Sequence, residues 1–213
     1  MVTARSTKRS GPAAAAARPA DAGAIARIAA GDAVRAIHLG QAEIGGAVRR
    51  FSMMAGAGFD AHVVANVPPG LKRAAGKLAY GWQTFVEWVR LRPLRYRITA
   101  DGAAYECASA ILAKGRFYAG RYVAAPKASL DRASFELVLF EKGGRWAVLR
   151  YALALALGRL HTANGVRVLR AREVSIAGAD GEPVHADGDP IGTLPARFTI
   201  APERLNVLVA PRG

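Results

Sequence analysis

The stretch RYRITADGAAYECASAILAKG, residues 95–115, alternates apolar and polar residues on both sides of an Asp-Gly pair. Period-two alternation puts every second side chain on one face of a strand. Asp101-Gly102 supplies the positive-φ positions of a two-residue hairpin. The stretch therefore predicts two antiparallel strands joined by a tight turn, and the pattern recurs along the chain. Residues 33–44 (AVRAIHLGQAEI) and 49–58 (RRFSMMAGAG) read as strands around Gly45-Gly46. A further strand pair fits residues 121–126 (RYVAAP) and 135–141 (FELVLFE), and the last third reads as short strands and turns. Strands that follow one another through turns favour a sandwich of antiparallel strands over a doubly wound parallel sheet.

Helical spacing is confined to fewer places. Ile25, Ile28 and Ala29 predict a short helix from Asp21, stopped by Gly31. Leu78, Trp82, Phe85 and Val89 share one face of a helix over 78–91 that Pro93 ends, and residues 146–160 (WAVLRYALALALGRL) form a second, mostly apolar helix. The fold class expected is α+β, mainly β: an antiparallel β-sandwich with two embedded helices. Residues 1–20 contain no acid and an Ala run bounded by prolines, and read as a disordered leader to a domain spanning 21–213.

Composition narrows the function classes. The single cysteine, Cys107, excludes an internal disulfide and a Cys-based zinc site and fits a reducing, cytoplasmic setting. No apolar run reaches the roughly 20 residues that span a bilayer. The net charge of +14 is carried by Arg residues spread along the chain, without a nucleic-acid motif. It reads first as an Arg-rich surface, with anionic lipid or phosphate-bearing substrates as its other uses and nucleic acid not expected. The four histidines lie at no metal-ligand spacing, and no G-x-S-x-G elbow is present.

Three stretches carry the remaining chemistry. MAGAGFDAHV (54–63) is a Gly-rich segment before Asp60, and reads as a tight strand end or a close backbone approach. LKRAAGKLAY (71–80) places Lys72, Arg73 and Lys77 at a helix start, suited either to an anion or to a solvated turn. HADGDPIG (185–192) sets Asp187 and Asp189 around a glycine. A hairpin turn explains it; paired acids also suit Mg²⁺, or one could accept a hydroxyl proton during phosphoryl transfer.

FSMMAGAGFDAHVV, LKRAAGKLAY, YRITADG, AKGRFYAGRYVAAPKASLD and VHADGDPIGTLPARFTIAPERLNVLVAP occur here in the order seen in the diacylglycerol kinase catalytic family, which the chain resembles from about Asp21 to Pro211. That family includes bacterial lipid kinases, diacylglycerol kinases and sphingosine kinases. The resemblance is to the second, β-sandwich domain of such kinases; the G-G-D-G-T loop of their nucleotide-binding domain is absent from this sequence. It implies a lipid kinase using ATP and Mg²⁺, inactive by itself, with a nucleotide-binding half in trans and a lipid such as diacylglycerol at a peripheral membrane surface. The alternative is a non-catalytic lipid-binding or regulatory module.

Carried onto this sequence, the resemblance implies Asp60 at the lipid head group and Arg73 and Lys77 near the nucleotide phosphates. It implies Asp187 in the metal–phosphate region and Asp189 as general base, one methylene shorter than the family's Glu. In PKASLDRAS (126–134), where some bacterial members bind a structural Mg²⁺, Arg132 stands in place of a second Asp. Either that site is lost or Arg132 fills it with a fixed cation.

Overall fold

The computed structural model describes residues 22–66, 84, 86–91 and 94–210. These divide into two compact units, one drawn from residues 1–35 and 207–213, the other from residues 36–206. In the smaller unit helix α1 (Ala22–Ala29) is followed by a turn, and the Val209 N–H donates to the Ala33 carbonyl at 2.9 Å.

The larger unit is the expected antiparallel sandwich. One six-stranded sheet has the order β2-β1-β14-β11-β4-β5 and the other β10-β9-β6-β3-β12-β13. The first contains β1 (Val34–Ile44), β2 (Ala47–Phe51), β4 (Tyr96–Ala100), β5 (Ala103–Cys107), β11 (Val174–Ala177) and β14 (Ala196–Leu208). The second contains β3 (Met54–Ala57), β6 (Ser109–Ala113), β9 (Phe135–Phe140), β10 (Val166–Ala171), β12 (Pro183–Ala186) and β13 (Asp189–Thr193). Both predicted turns form where expected: Ile44 pairs with Ala47 across Gly45-Gly46, and Ala100 with Ala103 across Asp101-Gly102. The core lies between the sheets, where Phe51 stacks on Phe135 at 5.8 Å and meets Phe198 edge-on at 6.3 Å. Burying such aromatics contributes several kcal/mol each to the sandwich.

Three local expectations change. Residues 49–58 form two strands in different sheets, because the chain bends at Ser52-Met53. Residues 121–126 supply only the short β8 (Tyr122–Val123), which pairs with β7 (Phe117–Tyr118); β9 pairs instead with β6 and β10. The residues after Gly58 turn into helix α2 (Phe59–Asn66) rather than ending a strand. The second predicted helix is α3 (Arg145–Ala156), followed by a 3₁₀ turn at Leu160–Thr162. Of the helix expected over 78–91, residues 84 and 86–90 are helical, and 78–83 and 85 lie outside the described residues.

Candidate functional site

Asp60 is placed by glycines. Gly58 has φ of 108°, and a Cβ there would lie 2.5 Å from the Ser109 hydroxyl. At Gly56 a Cβ would lie 2.4 Å from the Ala110 carbonyl, so only glycine lets β3 approach β6 this closely. The chain can then turn sharply out of β3, and Asp60 falls in the first turn of α2, where a negative charge is favoured.

Two side chains from distant strands meet its carboxylate. His185 of β12, 2% exposed, sets Nε2 2.8 Å from Asp60 Oδ2, and the Tyr118 hydroxyl donates to Oδ1. Burial alone would raise the Asp60 pKa. The His185 hydrogen bond and charge and the Tyr118 hydroxyl outweigh it and hold the carboxyl below its ordinary value. Asp60 is therefore an ionised acceptor at neutral pH. Both ring nitrogens of His185 are buried without a well-aligned hydrogen bond, so Nε2 meets Asp60 by close approach and Nδ1 meets no acceptor.

A second group of the same kind pins the other side of α2. His62 Nε2 lies 2.8 Å from Glu182 Oε2, which also accepts from the Tyr96 hydroxyl at 2.6 Å. Burial, followed by the Glu182 carboxylate, pushes the Tyr96 phenol far above its ordinary range. Helix α2 is thus fixed by one acid it donates and one it receives.

Asp60 opens onto an apolar cavity of about 220 Å³. Its walls include Ile111, Phe140, Val148, Leu155 and Leu160, with Tyr118 beside the carboxylate. Thr84, Ser109, Lys142 and Tyr151 add polar groups to its lining. The chamber is therefore mainly apolar with a few polar points and one ionised acceptor, which suits an amphiphile with a hydroxyl at one end.

The Asp187–Asp189 turn forms as a hairpin between β12 and β13, with Ala186 paired to Asp189. The carboxylate of Asp187 is fully engaged. Oδ2 accepts from the Ser52 N–H at 2.7 Å and its hydroxyl at 2.9 Å; Oδ1 accepts from the N–H groups of Met53 and Met54 at 2.8 and 3.0 Å. These four donors match the four lone-pair positions of a carboxylate, so Asp187 ties down the β2–β3 bend and its oxygens do not fit a metal as they stand. Asp189 is exposed at the start of β13. Asp60 and this turn are linked through β12, which carries His185 two residues before Asp187.

The 126–134 loop does not fit a metal either. Lys114, fully buried, directs its ammonium into the carbonyls of Ser129 at 3.5 Å, Ser134 at 3.1 Å and Arg132. Arg132 itself is exposed, its guanidinium 3.3 Å from the Lys127 carbonyl. The fixed cation at this loop is therefore Lys114, not Arg132. Burial lowers its pKa to about 8, with Asp131 opposing. No cluster of three metal-ligating side chains occurs among the described residues. Arg73 and Lys77 lie outside them.

The YegS C-terminal NAD kinase beta sandwich-like domain matches residues 53–209, most of the chain and both halves of this site. The chain belongs to that family. It is the C-terminal domain of the diacylglycerol kinase type, and the relatives agree. A diacylglycerol kinase of Mycobacterium tuberculosis is 28% identical over 166 residues, 76% of this chain and 53% of that protein. The chain thus spans about half the length of that relative. Among solved structures, a Bacillus anthracis protein superposes with a TM-score of 0.66 at 17% identity, over 86% of this chain and 59% of its own. A diacylglycerol kinase of the same organism gives 0.55 at 11% identity, over 86% and 57%. At those identities the superpositions speak to the fold alone.

Tyr118, His185, Glu182 and Lys114 escaped the sequence reading. His185 stood inside HADGDPIG, but its partner is 125 residues away in the chain. Nothing local announces such a pair. Lys114 directly follows the apolar run Ala110-Ile111-Leu112-Ala113, the one sign in the sequence that its ammonium could lie inside.

Proposed function

We propose that this domain is the lipid-handling half of a lipid kinase that phosphorylates a lipid hydroxyl at the expense of ATP. The observation that carries the reading is the apolar cavity with the ionised Asp60 on its wall, in a chain of this family. An acyl chain fills the cavity, and Asp60 accepts a hydrogen bond from a head-group hydroxyl. His185 and Tyr118 hold that carboxylate in place. A buried imidazole nitrogen without a partner costs roughly 1–3 kcal/mol, and the 2.8 Å approach of His185 Nε2 to the Asp60 carboxylate is what offsets burying this ring.

Asp189, exposed on the hairpin that follows His185, accepts the hydroxyl proton as the lipid oxygen takes the γ-phosphoryl of ATP and ADP departs. Arg73 and Lys77 steady the phosphates. Mg²⁺ would supply charge neutralisation on the nucleotide phosphates, and Asp187 would hold it only by releasing its donors at Ser52–Met54. Since no G-G-D-G-T loop occurs in these 213 residues, transfer requires a nucleotide-binding half, in cis or in trans.

The test is transfer of radiolabelled γ-phosphate to diacylglycerol by the purified chain, alone and joined to the nucleotide-binding half of the M. tuberculosis kinase. Activity only in the joined form is expected. Activity of the isolated chain would refute the division of labour. Diacylglycerol binding without transfer in either form would favour a lipid-binding module that does no chemistry.

A further inference from the structure

Helix α3 is apolar on both faces. Inward, Ala147 and Tyr151 are buried, and Val148 and Leu155 line the cavity that holds Asp60. Outward, Trp146, Leu149, Leu153 and Leu157 are 79, 49, 60 and 64% exposed. At about 100° per residue these four fall within an arc of roughly 80°, a continuous stripe from just inside the helix start to its C-cap. A soluble surface rarely leaves so many large apolar side chains contiguous without a partner.

The charges around the stripe say which partner. From Lys142 to Leu160 the chain carries four cations and no acid. Arg150 lies exposed on one shoulder of the stripe; Arg145 lies exposed on the other, with its guanidinium also donating to the Val89 carbonyl. A second copy seated on this face by a two-fold axis would set Arg against Arg with no carboxylate on the helix to meet it. An anionic bilayer supplies both complements: acyl chains for Leu149, Leu153 and Leu157, and phosphates for the arginines. Trp146 then sits at the level where indole rings anchor in the interface.

We propose that the outer face of α3 is a membrane-docking surface selective for anionic lipid. The helix lies in the bilayer interface while its inner face walls the cavity, so docking places a lipid entrance against the membrane. The entrance role rests on the lipid-kinase reading; the docking surface does not.

Co-sedimentation of the chain with vesicles of phosphatidylcholine, with and without 30 mol% phosphatidylglycerol, tests it (on the order of the anionic content that gives a strong surface potential). Binding to the anionic vesicles is expected, falling at least tenfold in the double variant L153N/L157N and roughly fivefold in R150Q, with thermal midpoints unchanged. Equal binding by the double variant, or none by the parent chain, overturns the proposal. So does a parent chain that is dimeric without lipid and becomes monomeric in L153N/L157N. In the chain joined to a nucleotide-binding half, L153N/L157N should lose activity on vesicle-borne diacylglycerol and keep it on a short-chain, water-soluble diacylglycerol. Absence of phosphorylation in every form would sink the kinase reading while leaving the vesicle result standing.

Discussion

Two Asp-Gly hairpins in this sandwich are built alike and end differently. At Asp101-Gly102 both residues have positive φ, 46° and 85°; at Asp187-Gly188 the values are 49° and 87°. The Asp101 N–H donates to the Glu173 carbonyl at 3.0 Å, and its carboxylate accepts from the N–H groups of Arg172 and Glu173. The Asp187 N–H donates to the Met54 carbonyl at 2.8 Å, and its carboxylate accepts from Ser52, Met53 and Met54. In each case the turn aspartate clamps a bend in the neighbouring chain. The first acid of HADGDPIG is therefore the structural twin of an aspartate with no proposed chemistry. What the second hairpin adds is what the first lacks: Asp189 where the other has Ala103, and buried His185 where the other has exposed Thr99.

If that division is right, removing Asp189 should have the largest effect of any change in either turn. In the chain joined to a nucleotide-binding half, Asp189→Asn is expected to lower the transfer rate by about 10²–10⁴, the usual worth of a general base. Its thermal midpoint should not move, because the residue is exposed at a strand start. A rate within a few-fold of the parent would remove Asp189 from the chemistry. Asp187→Ala should do the reverse. It orphans three backbone donors and places alanine at φ near 49°, for a loss of about 3 kcal/mol, or a fall of roughly 6–12 °C. A midpoint unchanged by Asp187→Ala would break the analogy with Asp101.

His185 and Asp60 make the second hairpin's strand sensitive to acid in a way the first is not. The folded state holds the Asp60 carboxyl below its ordinary 3.8, so the unfolded chain binds that proton more readily. The stabilisation from Asp60 is thus fully present above pH 3.8 and lost as pH falls through the lower, folded value. Chemical denaturation of the parent and Asp60→Asn chains across pH 3 to 7 should show a gap that is constant at the upper end and narrows below about 3.8. A gap that widens toward low pH would show that His185 does not favour the ionised form.

Much of this architecture could be read from the residues, because hairpin chemistry is local. Gly45-Gly46 and Asp101-Gly102 announce their own φ values, and the alternation beside them fixes which face is buried. The partners that make the site are not local. Asp60, in the helix that leaves β3, meets His185 only because β3 and β12 pair in one sheet, and meets Tyr118 because β7 follows β6, the other neighbour of β3; that order depends on long-range pairing. The Ser52-Met53 bend was hidden for the same reason: RRFSMMAGAG alternates well enough for one strand, and the anchor that breaks it is Asp187, more than 130 residues on. Resemblance supplied Asp60, Asp187 and Asp189 together, but could not say that the Asp187 carboxylate is taken up by four donors at the Ser52–Met54 bend.

The mildest changes sharpen the comparison most. Asp101→Ala leaves two backbone donors without their acceptor, against three at Asp187, and carries the same positive-φ cost. A loss of about 2 kcal/mol is expected, smaller than at Asp187. Asn tolerates the left-handed region and keeps one oxygen acceptor. At Asp101 that oxygen can still serve the Glu173 N–H, the shortest contact at 2.8 Å, so Asp101→Asn should cost under about 1 kcal/mol. At Asp187 one oxygen cannot serve both Ser52 and Met53-Met54, and the amide would turn N–H groups toward donors. Asp187→Asn should therefore cost more than Asp101→Asn, by about 1 kcal/mol in urea unfolding. Equal costs would mean that the bend at Ser52-Met53 relaxes onto water, and that Asp187 is freer to serve a metal than its four contacts suggest.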